Sequence, residues 1–183
     1  MTAVTTLPFG RPLTRADLED LPDDGHRYEL IDGVLLVSPG PQLPHQDMVG
    51  NLHLLLRSGC PSHLKVVLAP FAVALSDDTE VQPDLLVAAR TQFTRKELPG
   101  PPLLAVEVLS PSTRRIDLLL KRDRLQSAGV ASYWLVDPEG PSVTVLELRE
   151  GSYVEVASAQ GEQVCEVRQP YPLRMVPQRL LDD

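Results

Sequence analysis

The sequence predicts a mixed α/β domain in which a central sheet carries two long helices. Three observations lead there. The chain has 183 residues, of which 43% are hydrophobic and 23% charged. That is enough for one domain with a sizeable core, and it is not the composition of a disordered chain. Its 18 prolines are roughly twice the usual ~5% share, so long helices fit only Pro-free windows. Two such windows, His45 to Ser58 and Arg114 to Ala128, repeat apolar residues at helical spacing. Between and after them lie short apolar runs of strand length. Residues 1–183 are taken as one domain, with 1–12 as an irregular N-terminal segment.

The elements follow in order. Leu13 to Leu18 predicts a short helix, with Thr14 as N-cap and Asp17 three residues on. Tyr28 to Ile31, Asp32-Gly33 and Val34 to Val37 predict a hairpin, because Asp-Gly between apolar runs favours a tight turn. Ser38 to Pro44 reads as a loop. The first long helix spans His45 to Ser58, with Met48, Leu52, Leu55 and Leu56 on its inner face and Gly59 and Pro61 as its stop. Lys65 to Leu75 predicts a strand interrupted at Pro70, and Leu85 to Ala88 and Leu103 to Leu109 predict buried strands. Arg114 to Ala128 is the second long helix, stopped at Gly129. Ser132 to Val136 is a strand, Val143 to Leu148 and Tyr153 to Val156 form a hairpin about Glu150-Gly151, and Leu173 to Val176 is a last possible strand.

Charge and cysteine usage narrow the function classes. A net charge of −8 argues against a protein that coats DNA, since non-specific binders are usually basic. It leaves room for an enzyme whose carboxylates hold metal ions, because the ions reverse the local field. Cys60 and Cys165 form no CxxC pair, which excludes structural zinc held by thiolates. They suit a reducing, cytoplasmic protein. No apolar run approaches the ~18 residues of a membrane helix, and the N-terminus lacks signal-peptide character.

Three places carry candidate chemistry. Asp84 follows Gln82-Pro83 at the head of an apolar strand; Pro-Asp is also common in plain turns. Glu107 is the single charge inside Leu103 to Leu109, on a face shared with Leu103, Ala105 and Leu109. A buried glutamate is rare unless paired or metal-bound; the other reading is a strand with one wet face. The second long helix sets Arg114, Arg115, Lys121, Arg122 and Arg124 against Asp117 and Asp123. Lys121 falls on the stripe of Leu118, Leu125 and Ala128. It therefore either snorkels, pairs with Asp117 at i, i+4, or reaches a buried anion. The arginines either hold phosphates or form a solvated face. Ile116, Leu119 and Leu120 form a second stripe. That stripe, with the apolar segment of Tyr133 and Trp134, predicts a two-fold dimer. His45 and His53 stand about 12 Å apart along one helix, too far to share an ion.

Two carboxylates on neighbouring strands can chelate Mg²⁺ or Mn²⁺, and a nearby lysine can orient water and stabilise charge on a phosphoryl centre. That is the apparatus of metal-dependent phosphodiester hydrolysis. Gln82-Pro83-Asp84, the run Ala105 to Thr113 (with Glu107, Leu109 and Ser110-Pro111-Ser112), Ala128-Gly129-Val130 and Tyr133 to Pro138 resemble the Uma-two family, assigned to the PD-(D/E)xK restriction-nuclease superfamily. Tyr28 to Gly33 and Pro44-His45-Gln46 resemble it as well. The resemblance spans about Thr14 to Val156. It implies a restriction-endonuclease-like mixed sheet flanked by helices, and a metal-dependent DNA endonuclease. It matches Asp84 and Glu107 to the motif acids, Glu29 to an additional acid and His45 to the residue opening the first helix. The superfamily pattern asks for lysine where Leu109 stands; in this family the lysine is relocated to the next helix, at Lys121. Arg114 and Arg115 are expected to bind phosphate. The rivals are a non-catalytic nucleic-acid or protein binding module on the same fold and an unrelated small-molecule hydrolase. The absence of GxSxG, HExxH and P-loop motifs weakens the second rival.

Overall fold

The computed structural model describes residues 8, 10–22 and 24–181. Of the expected irregular segment 1–12, residues 1–7 and 9 lie outside the described residues, and the remainder carries no helix or strand. The short helix α1 (Arg15–Leu18) follows Thr14, whose backbone N–H and hydroxyl both donate to the Asp17 carboxylate, at 2.7 and 3.0 Å. β1 (Arg27–Ile31) and β2 (Val34–Ser38) form the expected hairpin. Asp32 and Gly33 both take positive φ, 52° and 74°, as a primed two-residue turn requires. α2 (Leu43–Gly59) buries Met48, Leu52 and Leu56, and Pro44 sits in its first turn.

The expected strand from Lys65 to Leu75 is two strands. β3 (Leu64–Leu68) and β4 (Ala72–Ser76) belong to different sheets, and Pro70 stands where the chain leaves one for the other. Proline cannot donate to a ladder, so the crossing falls where no ladder bond is lost. β5 (Thr79–Val81), β6 (Leu85–Ala89), β7 (Glu97–Pro99) and β8 (Leu104–Val108) follow. The second long helix is not one regular α-helix. A π-helical stretch, Ile116–Lys121, leads into α3 (Arg122–Ser127). α3 ends at Gly129 with φ 85°; Gly129 N–H donates to the Gln126 carbonyl and Val130 N–H to the Leu125 carbonyl. That is a Schellman end. β9 (Ser132–Asp137), the hairpin β10 (Ser142–Arg149) and β11 (Ser152–Gln160), and the small pair β12 (Cys165–Val167) and β13 (Leu173–Met175) complete the chain.

The central sheet runs β11-β10-β9-β8-β6-β3, and a second sheet runs β2-β1-β5-β4-β7. β8 and β9 are parallel, joined by the π-helical stretch and α3; the other neighbours in the central sheet are antiparallel. Strand alternation divides the core in two. Leu85 and Val87, Val106 and Val108, and Trp134 and Val136 face α2 and the β12–β13 pair. Leu86 and Ala88, Ala105 and Leu109, and Tyr133 and Leu135 face α3 and the second sheet. Tyr133 and Trp134 are fully buried, so they cannot supply the surface on which the dimer expectation partly rested. The Trp134 indole N–H donates to Ser132 Oγ at 3.0 Å, which satisfies its one polar group. The stripe of Ile116, Leu119 and Leu120 is only partly covered, and Leu119 remains 68% exposed.

Candidate active site between the two sheets

Gln82-Pro83-Asp84 links β5 in the second sheet to β6 in the central one. Leu85 pairs with Val106, so Asp84 stands beside Glu107 at the end of the β6–β8 ladder. Strand alternation turns both toward the face of Leu86 and Ala105. Asp84 Oδ2 accepts the Val108 N–H at 2.9 Å. Its other contacts are the Arg27 guanidinium, 2.8 Å from Oδ1, and His45 Nε2, 3.1 Å from Oδ2.

Lys121 projects from the end of the π-helical stretch into the same space. Its ammonium lies 2.9 Å from Glu29 Oε1, 3.0 Å from Glu107 Oε1 and 3.5 Å from Asp117 Oδ1. The i, i+4 pair and the buried-anion reading therefore hold together. Glu29, Glu107, Asp117 and Lys121 are each only 1% exposed. Glu29 Oε1 also accepts the Gln82 N–H at 2.6 Å, which ties β1 to the linking segment. Tyr133 Oη donates to the Asp117 carbonyl at 3.0 Å and holds the π-helical stretch against β9.

Burial pushes the Glu107 carboxyl well above its usual range; Asp117, Asp84 and Glu29 push the same way, and Lys121 only partly opposes them. Burial likewise raises Asp117. For Asp84 burial is outweighed by the His45 hydrogen bond, Arg27 and the Val108 N–H, so its carboxyl is held below the usual range. For Lys121 burial is outweighed by Glu107, Glu29 and Asp117, and the ammonium keeps its proton firmly. The cluster joins four carboxylates, Glu29, Asp84, Glu107 and Asp117, to two permanent cations, Arg27 and Lys121.

That surplus of negative charge fits a divalent cation. No three His, Cys, Asp or Glu side chains among the described residues converge as a ready ligand cage. Mg²⁺ does not need one: it takes one or two carboxylates and keeps several waters. Asp117 Oδ1 has no hydrogen-bond partner, and Asp84 Oδ1 accepts only from Arg27 and so keeps acceptor capacity, whereas Oδ2 is taken by His45 and the Val108 N–H. The residues present therefore suit a hard, oxygen-seeking ion.

A cleft of about 950 Å³ opens onto this cluster. Arg27, His45 and Asp84 line it, with Gln42 and the segment Leu109 to Thr113 on its walls. Glu29, Glu107 and Lys121 lie beneath that lining. Leu109 is buried in the core at the position where the superfamily pattern asks for lysine. Arg114 and Arg115 stand off the lining: Arg114 is paired with Asp137 at 2.6 Å, and Arg115 is exposed. Two members of the cluster were not singled out as site residues from sequence. Arg27 shares a strand face with Glu29, and two charges two apart in an apolar strand were its signal. Asp117 was read only as a partner of Lys121.

The family model of Uma2, described as "Putative restriction endonuclease", matches residues 15–175. The chain belongs to the Uma2 family. The Uma2 match covers Glu29, His45, Asp84, Glu107 and Lys121. The fold is shared with a crystal structure from Anabaena variabilis ATCC 29413, described as "a putative nuclease belonging to DUF820". The two align with a TM-score of 0.71 at 19% identity, over 93% of this Uma2 chain and 98% of the Anabaena chain. A comparison with curated proteins finds no match.

Proposed function

We propose that this protein is a divalent-metal-dependent DNA endonuclease whose reaction takes place at Asp84. The observation that carries the reading is the buried cluster of four carboxylates and two cations beneath an open cleft, in a chain of a family described as restriction endonucleases. Asp84 and Glu107 would hold Mg²⁺ or Mn²⁺. When bound, the ion supplies Lewis-acid polarisation of the phosphoryl oxygen and a water acidic enough to attack at neutral pH. His45, Arg27 and the Val108 N–H fix the Asp84 carboxylate. Lys121 sets the positions of Glu29 and Glu107 and balances part of their charge. Arg114 and Arg115, beside Thr113 of the cleft wall, would take flanking phosphates of the DNA. A two-fold dimer is part of the same reading, supported by the exposed Leu119 and by exposed Val34 and Val37 on the edge strand β2. Light scattering at micromolar concentration tests it. Cys60 and Cys165 are free thiols, which suits the cytoplasm.

The deciding assay is plasmid nicking across a Mn²⁺ or Mg²⁺ titration, with Asp84→Asn and Glu107→Gln beside the parent protein. Each change removes one anionic ligand and keeps size, so cleavage should disappear while the fold persists. Equal nicking by all three proteins would mean a contaminant. No nicking by any, across metals and substrates, would leave the non-catalytic binding module.

A further inference from the structure

The cluster holds two cations, one buried and one partly exposed, and they are not equivalent. Lys121 is enclosed by three carboxylates and lies under the cleft lining. Its three donors face Glu29, Glu107 and Asp117, so a ligand in the cleft cannot reach it without breaking that set. Arg27 is different. It is the single lysine or arginine among the described residues lining the cleft, whose lining also carries the acids Glu80, Asp84 and Glu139. Its side chain is 21% exposed. Nη1 donates to Asp84 Oδ1 at 2.8 Å and to the Gln82 carbonyl at 3.4 Å, and Nε lies 3.6 Å from Glu29 Oε2. Among the described residues no hydrogen-bond partner falls on Nη2. A guanidinium presents its five donors in a fixed planar fork, so a group held on one side offers the other to a second anion.

We infer that Arg27 is the phosphate-contacting residue of the cleft, bridging Asp84 and the phosphodiester, and that Lys121 is a buried counter-charge that does not touch the nucleic acid. The inference rests on the nuclease reading above and assigns the inner phosphate contact within it. Among the described residues the rest of the lining carries three acids and no other lysine or arginine, so loss of this one cation should weigh heavily on binding. The partners of Arg27 also make it a positioning residue for Asp84, and the test must separate that role from contact with DNA.

The separating quantity is the salt dependence of binding, because each phosphate contact adds about 0.7–0.9 to the slope of log K against log salt. A labelled oligonucleotide, single-stranded and duplex, is titrated by fluorescence anisotropy with Ca²⁺ in place of Mg²⁺. The proteins are the parent, Arg27→Gln, Arg27→Lys and Arg149→Ala, an exposed arginine away from the cleft. Arg27→Gln should bind about tenfold or more weakly, with the slope reduced by about one contact. Arg27→Lys keeps the charge and loses the fork, so it should keep the slope and lose part of the affinity. Where Arg27→Gln fails to fold, Arg27→Met takes its place, since it also removes the charge and should lower the slope by the same one contact. Arg149→Ala should match the parent. If the parent binds and both Arg27 variants keep its affinity and slope, the assignment is overturned and the nuclease reading stands. If both variants lose affinity with the slope unchanged, Arg27 acts only through Asp84 and the contact is likewise overturned. If the parent neither binds DNA nor nicks plasmid in Mn²⁺, the nuclease reading fails and takes the assignment with it.

Discussion

Lys121 shows what a fully buried ammonium does for its neighbours. Burying a charge is costly, and three carboxylates offset that cost. Removing the ammonium leaves Glu29, Glu107 and Asp117 without their shared counter-ion. Lys121→Met should therefore destabilise the fold by about 3–5 kcal/mol, the usual cost of an uncompensated buried charge. Urea unfolding measures it, and the double variant Glu107→Gln with Lys121→Met should recover part of the loss. A Lys121→Met protein as stable as its parent would mean that the carboxylates take up protons at little cost. The pH dependence follows from the same groups. The folded Glu107 carboxyl lies above its ordinary 4.5, so the folded chain binds the extra proton. Stability from this group is then lost as pH rises above that ordinary value toward the folded one. Asp117 has the same sign, whereas the contribution of Asp84 is present above 3.8 and lost as pH falls below it. Between about pH 5 and pH 8, without metal, the melting temperature of the parent should fall more than that of Glu107→Gln. Parallel profiles would count against a strained Glu107.

At the scale of the element, two glycines in similar turns separate two causes of strain. Gly33 has φ 74°, and a Cβ there would come 2.5 Å from Pro12 Cβ; Gly151 has φ 81° and open space around it. Gly151→Ala should cost about 1–2 kcal/mol from backbone conformation alone. Gly33→Ala should cost more, because the N-terminal segment must also shift; thermal melts of the two variants give the order directly. Both turns were readable in the sequence, as Asp-Gly and Glu-Gly between apolar runs. The long apolar runs were readable too, and so was the odd acid inside one of them. What escaped has physical reasons. β5, β7 and β12 have three residues each, too few for a period to register. Pro70 was visible as an interruption, but that the chain changes sheets there depends on pairing partners far away in sequence. The π-helical winding leaves no mark in an α-helical wheel. Arg27 stayed hidden because its partners Asp84 and Gln82 lie more than fifty residues away.

At the scale of the molecule, the candidate site lies where the second sheet meets the central one, and within the second sheet the β1–β2 hairpin is joined to β5 only narrowly. β1 meets β5 through one registered pair, Leu30 with Glu80. Past that pair the backbone ladder gives way to side chains: Gln82 N–H to Glu29, the Gln82 amide to the Tyr28 carbonyl, and Arg27 to the Gln82 carbonyl and Asp84. The polar groups of the cleft thus double as the fastening of the β1–β2 hairpin. In amide hydrogen exchange the hairpin, residues 27–38, should open on its own and exchange faster than the doubly covered strands at 85–89 and 104–108. Glu29→Gln should quicken that opening without touching the slow amides of the central sheet. Uniform exchange across both sheets would show a single cooperative unit instead. A cleft closed by its own charged residues is one whose occupancy and whose local opening answer to the same few contacts, so a bound ligand should be legible as slowed exchange in this hairpin alone.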